Sequence, residues 1–365
     1  MDTTPDVLPA GKDQQPEICK FGLQVYNQAK RAASPDTYSF KRNPNAGKPA
    51  AIPNATIYLD FDGEVVSNTA WNAKGTIYAA AANLSVTEVE RIVKRVSEDF
   101  SPFDVVVTTD ETIYQATNPY KRTRVIVTET WEWFGVVGGT AFNNSFTWGN
   151  NTPVFIFSTL LNYNEKFIAE AISHEVGHTL GLLHQADYDP AGTLLSEYNM
   201  GCGDGITSWA PIMGIGYYQN VTTWHKGPTV LGYNNIQDDV AIISNIIGLK
   251  TDRNREMDKS EEFASGQQGL ISDKNDIDYY FIHVKQPTTI TAEPFCLAGG
   301  EGSNLNLKMK IYDKKGMLLK TIKTSSVLSV STTLEKEKYY VSIESDPVHS
   351  VSRYGLLGNY TLLAQ

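Results

Sequence analysis

From residue 51 the apolar positions fall into runs whose period changes several times, and each change marks an element. "ATIYLDFDG" is a β-branched, aromatic run that predicts a strand stopped by Gly63. In "LSVTEVERIVKRVSEDFS" the apolar residues Val86, Val89, Ile92, Val93 and Val96 recur at helical spacing, behind a capping box of Ser85 and Glu88. "FDVVVTTD" and "TRVIVTET" read as buried strands, "GGTAFNNSF" as a looser strand after a glycine pair, and "PVFIFSTL" as one more buried strand. "NEKFIAEAISHEVGHTLGL" then predicts a long helix with Ile168, Ala171, Ile172, Val176 and Leu180 as its apolar positions. A last amphipathic helix is expected over "NNIQDDVAIISNIIGL", ending near Gly248.

Strand, helix, several strands and a second helix in that order predict an α+β domain with α/β-type layering, one twisted, mostly parallel sheet with helices packed on it. It is expected over residues 51–250. Residues 1–50 are rich in Pro, Asn, Lys and Ala and read as an N-terminal extension, a possible pro-segment, with one short helix around Leu23–Ala32. Residues 251–262, "TDRNREMDKSEE", carry charge without a core pattern and read as a linker. Over 263–365 short alternating runs such as "DYYFIHV", "TTITAEPF", "NLKMKIYD" and "KYYVSIES" predict a smaller, all-β antiparallel sandwich.

The 365 residues suit two domains better than one, and 41% hydrophobic residues allow a sizeable core. A net charge of −10 argues against a nucleic-acid binder, which needs a basic face for phosphates. No apolar run approaches the roughly 20 residues that span a bilayer. The N-terminus lacks the pattern of a signal peptide, leaving a cytosolic protein or a secreted one whose signal is missing from the sequence. Cys19, Cys202 and Cys296 allow one bridge and a free thiol, or three thiols.

The chemistry is concentrated in "SHEVGHTLGLLH", which holds three of the six histidines. His174 and His178, four apart on a helix, share a face and can present two imidazoles to one ion. Glu175 is rotated about 100° from His174, which suits a second role rather than a third ligand. Gly181 can end the helix in a left-handed turn and swing His184 back to the same metal. Three histidines leave a fourth position open, the arrangement of catalytic rather than structural zinc.

"HEVGHTLGLLH" resembles the extended HExxHxxGxxH signature of the metzincin zinc endopeptidases, and "APIMGIGYY" resembles their methionine turn. The likeness extends over about residues 52–250 and, through "YLDFDG" and "EDFSPFDVVVTTD", looks like a little-characterised bacterial branch. It implies zinc on His174, His178 and His184, Glu175 as general base, and Met213 as a packing floor beneath the metal. It also implies that "GGTAFNN", with Gly139, Thr140 and Ala141, is an edge strand that pairs with extended substrate. The sequence departs from some metzincins in having Ile215 two residues after the methionine, where they carry a tyrosine; Tyr217 and Tyr218 are the candidates instead. Cys19 is a candidate latency switch of the kind some metzincins carry, although "PEICKFG" lacks the best-known surrounding motif.

The C-terminal region resembles the pre-peptidase C-terminal sandwich behind many secreted bacterial proteases, which implies secretion and a role in docking substrate or the cell surface, or in stabilisation. Tyr217, Tyr218 and Trp224 are expected to flank the pocket, with His225 a candidate neighbour. Structural calcium is an option at Asp60 and Asp62, and at Asp273, Asn275, Asp276 and Asp278, although turn chemistry also explains the second group. The aromatic cluster Trp131–Phe134 is either a binding patch or, more in keeping with its composition, buried. The expected activity is hydrolysis of internal peptide bonds of extracellular proteins, by a secreted or cell-surface bacterial enzyme. The alternatives are a zinc hydrolase of a non-peptide amide, and an inactive adhesin or glycan-binding protein with a zinc site.

Overall fold

The structure, a computed structural model, describes residues 18–20 as backbone, 31–32, 38, 51–251, 254–297, 301–323, 327–349 and 351–365. The elements that build the N-terminal unit are, in chain order, β1 (Ile18–Lys20), β2 (Thr56–Asp60), α1 (Val86–Asp99), β3 (Val106–Thr108), α2 (Glu111–Ala116), β4 (Arg122–Thr128), β5 (Gly139–Phe142), β6 (Val154–Phe157), α3 (Glu165–Thr179) and α4 (Asp239–Ile247). The sheet order is β1-β5-β6-β4-β2-β3. β2, β3, β4 and β6 are parallel neighbours, whereas β5 runs antiparallel to β6 and to β1. β6 and the Val125–Val127 part of β4 read as unbroken apolar runs because both of their faces are covered, whereas β4 opens with the partly exposed Arg122 and Arg124.

α1 starts at the predicted capping box, Ser85 accepting from the Glu88 amide, and buries Val89, Ile92 and Val96 against the sheet. α3 is capped by Asn164 and is buried continuously from Ile168 to Thr179, so it has no exposed stripe. Two elements depart from the sequence expectation. α2 was not anticipated; six residues are too few to set up a period, although Asp110 caps its start. The first part of "NNIQDDVAIISNIIGL" is a strand, Gly232–Asp238, hairpinned with Lys226–Thr229, and only the part after the Asp238 cap is helix. The short helix expected around Leu23–Ala32 lies outside the described residues apart from 31–32.

The C-terminal unit is two sheets. One has five strands, ordered Glu261–Glu262, Asp278–His283, Lys338–Ser345, Leu307–Tyr312, Leu318–Lys323; the other has four, ordered Gln268–Ile271, Gly358–Ala364, Thr288–Pro294, Val330–Leu334. Glu261 and Glu262, inside the segment read as a linker, pair with Tyr280 and Phe281. Leu305, Leu357 and Tyr360 of this unit belong to the same buried cluster as Phe100, Phe103 and Trp224 of the first.

Polar groups reinforce that junction. Both oxygens of buried Glu98 accept from Asn359, at 2.8 Å from its amide and 2.6 Å from Nδ2. Buried Asp99 accepts from Asn304 Nδ2 at 2.9 Å and from Ser173 Oγ at 2.5 Å, while its carbonyl accepts from Trp224 Nε1. The expectation that Trp224 flanks a pocket is therefore corrected: its ring is sealed against Phe100 and Phe103.

Burial pushes Glu98 up to about 8 against the two hydrogen bonds from Asn359. A carboxyl with a raised folded pKa contributes its stabilisation in full below the unfolded value, 4.5, and loses it as pH rises through about 8. Relative to a Glu98→Gln variant, the wild type is expected to lose stability between about pH 4.5 and 8, measured by urea unfolding across that range. A pH-independent difference would show that Glu98 is ionised throughout.

Candidate metal centre

The second half of α3 turns one face toward the end of β5 and carries the three-histidine motif. His174 and His178 are fully buried on that face. The helix ends where Gly181, at φ +93°, donates from its amide to His178 O, and Leu182 donates to Gly177 O, the paired bonds of a left-handed helix stop. The stop reverses the chain and returns His184. A side chain at Gly181 would be strained at that φ, and its Cβ would lie 2.5 Å from Asn144 Oδ1.

One ligating atom from each of His174, His178 and His184 lies within 4.8 Å of the others, the one such convergence of three or more among the described residues. His174 Nδ1 is 2.8 Å from Ile212 O and His178 Nδ1 is 2.7 Å from Leu182 O. A carbonyl only accepts, so both Nδ1 atoms carry protons and a neutral ring then leaves Nε2 as a bare lone pair. These two Nε2 atoms face each other at 3.1 Å. Burial drives His178 down to about 3 and His184 to about 4, and drives His174 well below the usual range, so protonation does not relieve the opposition. His184 Nε2 is buried without a hydrogen-bond partner among the described residues. The donor set therefore fits a cation at its centre, with nitrogen ligands suited to a transition metal.

Glu175 is fully buried beside the histidines; neither of its oxygens has a hydrogen-bond partner among the described residues, and burial holds its carboxyl well above the usual range. It lies under the start of β5: a Cβ on Gly139 would come within 2.8 Å of its Cγ. Thr140 and Ala141 follow on the same strand, fully buried. Met213 Sδ would lie 2.5 Å from a Cβ placed on Gly177, so the methionine packs under α3 between the two helical histidines. That contact explains the glycine inside the motif, which sequence reasoning passed over.

The family-model comparison and the search of curated proteins found no match for the chain. Among solved structures the chain is similar, over 32% of its length and 100% of the other chain, to a pre-peptidase C-terminal domain of a collagenase from Bacillus anthracis, with 12% identity and a TM-score of 0.22. It is similar over 94% of its length, and 99% of the other chain, to a catalytically inactive OgpA from Akkermansia muciniphila in complex with an O-glycopeptide substrate, with 12% identity and a TM-score of 0.18. PliG of Aeromonas hydrophila, a periplasmic inhibitor of g-type lysozyme, aligns with 28% of this chain and 83% of its own at 12% identity and a TM-score of 0.20. Likenesses this weak carry no argument, and the site stands on its own geometry.

Tyr217 is buried, packs on Phe167 at 4.6 Å and has Glu175 among the groups that shape its environment; Tyr218 is 64% exposed and meets the same Phe167 edge-on. Sequence reasoning missed Tyr198, whose ring lies 4.3 Å from His184 and 6.2 Å from His174. Its neighbour Asn199 is stitched between Gln185 and Ile215 by backbone bonds, and nothing in "LLSEYNM" signals that path. His225 meets Trp209 edge-to-face at 5.0 Å and its amide donates to Asp239, so its surroundings are structural. The side chain of Cys19 lies outside the described residues; Cys202 and Cys296 are free.

The calcium expectation for Asp273, Asn275, Asp276 and Asp278 is corrected. Arg255 pairs with Asp273 at 2.5 Å and with Asp276 at 2.9 Å, Asn275 donates to Asp273 in a turn, and Asp278 accepts from Tyr360. A guanidinium fills the role assigned to the cation. Asp60 likewise faces Arg124 at 3.7 Å. Among the described residues no helix is long and apolar enough to cross a membrane.

After dialysis, wild-type protein is expected to retain about one metal equivalent per chain, and His184→Ala and Gly181→Val much less, by elemental analysis. Equal metal in all three would show that the ion binds elsewhere.

Proposed function

We propose that the chain is a zinc-dependent endopeptidase of the metzincin type, secreted or held at a bacterial cell surface. The observation that carries this reading is the facing pair of His174 and His178 lone pairs, joined by His184, beside a buried carboxyl group with no hydrogen-bond partner among the described residues. Metal binding alone has no use for Glu175 in that position, whereas hydrolysis needs a base within reach of the attacking water.

His174, His178 and His184 would hold zinc, and the carbonyls of Ile212 and Leu182 keep two of the rings in the ligating tautomer. When bound, zinc polarises a water molecule and the scissile carbonyl as a Lewis acid. A cation held by the histidines would favour the ionised form of Glu175 against the effect of burial, and as a carboxylate Glu175 would take the proton of the attacking water and later deliver it to the departing amine nitrogen. Its position under Gly139 supports a transfer near the start of β5. The peptide lies antiparallel on the outer edge of β5, held by main-chain hydrogen bonds that are indifferent to sequence.

β5 already takes an extended partner in this way. β1 pairs with it antiparallel, Lys20 opposite Thr140, Cys19 opposite Ala141 and Ile18 opposite Phe142. This supports reading residues 1–50 as a segment that guards the edge until it is displaced.

Glu175→Gln is expected to retain zinc while cleavage of unfolded casein falls by about 10²- to 10⁴-fold, with the wild-type products identified by mass spectrometry as new internal termini. Undiminished cleavage by that variant would remove the general base from the account. Release of a non-peptide acyl group without chain cleavage would change the substrate class.

A further inference from the structure

The three histidines are not held alike. His174 and His178 each direct Nδ1 at a backbone carbonyl, Ile212 O at 2.8 Å and Leu182 O at 2.7 Å. Those bonds fix the plane and the tautomer of both rings. Among the described residues no group accepts from the ring of His184, and its buried Nε2 has no hydrogen-bond partner. The torsion that turns an imidazole about its Cβ–Cγ bond is broad, so a ring without such a bond needs another restraint. His184 also lies beyond the Gly181 stop, where α3 no longer sets its position.

Tyr198 supplies one. Its ring centroid lies 4.3 Å from that of His184, with the planes 38° apart, and 6.2 Å from that of His174. Among the described residues the other rings near His184 are the fellow ligands, His174 at 5.2 Å and His178 at 4.8 Å. Backbone bonds, not a regular element, hold the tyrosine there. Asn199 N donates to Gln185 O at 2.8 Å, one residue beyond His184, and Asn199 O accepts from Ile215 N at 3.0 Å. Gln185 N donates in turn to Met213 O at 2.8 Å, and Asn199 Oδ1 accepts from Gly201 N at 2.8 Å. A Cβ on Gly214 would lie 2.1 Å from Asn199 O, so glycine is what lets these segments approach. The stretches carrying His184, Tyr198 and Met213 are thereby bonded to one another, and the phenol ring is referenced to the imidazole it covers.

We propose that Tyr198 is a positioning residue for His184: its ring stands in for the missing outer hydrogen bond and holds the imidazole plane toward the metal. This rests on the reading of the three histidines as a metal centre and is independent of what the substrate is. The ring acts, not the hydroxyl, because the contact with His184 is between the two ring systems. Outer hydrogen bonds to metal-bound histidines are worth about 10- to 100-fold in metal affinity, and a ring contact in that role belongs at the lower end. The result is an unequal triad, two ligands locked by hydrogen bonds and a third, His184, held by packing.

The test uses the full chain loaded with zinc or with cobalt(II). Release of zinc to a chromophoric chelator is timed for the wild type and for Tyr198→Phe, Tyr198→Ala and Tyr198→Leu. Tyr198→Phe keeps the ring and is expected to release zinc within about 2-fold of the wild-type rate, whereas Tyr198→Ala and Tyr198→Leu release it about 10-fold faster. Proton NMR of the cobalt(II) forms then reads the ligands one by one. The Nδ1 protons of His174 and His178, bonded to carbonyls, are expected as paramagnetically shifted signals that persist in water in the wild type and all variants. That of His184, which no acceptor holds, is expected to be lost to exchange. Fast release with both signals intact locates the defect at the third ligand rather than in a collapsed site. Wild-type release rates in Tyr198→Ala and Tyr198→Leu overturn the proposal, as does release from Tyr198→Phe as fast as from Tyr198→Ala. So does loss of the His174 and His178 signals in both ring-deleted variants, or a third persistent signal in the wild type. A wild-type chain that takes up neither metal refutes the metal centre itself, so the two failures are distinguishable.

Discussion

Two buried imidazole lone pairs facing each other at 3.1 Å, with a third ring nitrogen within 4.8 Å, are unstable without a positive charge among them, and the rest of the N-terminal unit holds that opposition in place. Protonation is the ordinary way out, and burial blocks it. Hydrogen bonds to Ile212 O and Leu182 O close the other escape, a flip of tautomer. The geometry is set by a helix buried on all sides, a glycine stop that no other residue adopts without strain, and a methionine packed against Gly177. A cation turns this costly arrangement into a stable one, which couples metal binding to the integrity of the site.

The two units are not independent ornaments around that centre. Ser173, the residue before His174, donates to Asp99, and Asp99 in turn accepts from Asn304 of the sandwich. Glu98, next along α1, is satisfied by Asn359. Buried carboxylates without these amides would be costly, so the sandwich completes polar groups that the first unit leaves unfinished. At the sheet's edge, Gly139 of β5 lies over Glu175 on the α3 side.

What the sequence made legible was local. The spacing of His174, His178, Gly181 and His184 carries its own geometry, because helix periodicity and a glycine stop are properties of neighbouring residues. The capping box at Ser85 and Glu88 and the buried strands β4 and β6 were readable for the same reason. Properties assembled from distant segments were not. Trp224 looked like a pocket residue until Phe100 and Asp99 closed over it, and Asp273 and Asp276 looked like calcium ligands until Arg255 arrived from outside the motif. Tyr198 reaches the histidines along an irregular path with no periodic signal, and the strand Gly232–Asp238 was hidden because its polar, exposed residues carry no apolar alternation.

The most direct test of the central claim is X-ray absorption at the zinc edge of the zinc-loaded full chain. The account predicts three imidazole nitrogens at about 2.0–2.1 Å with one further light oxygen ligand, and a reduced imidazole count in His184→Ala. A shell containing sulfur, a fourth protein ligand, or an imidazole count that survives loss of His184 would contradict it.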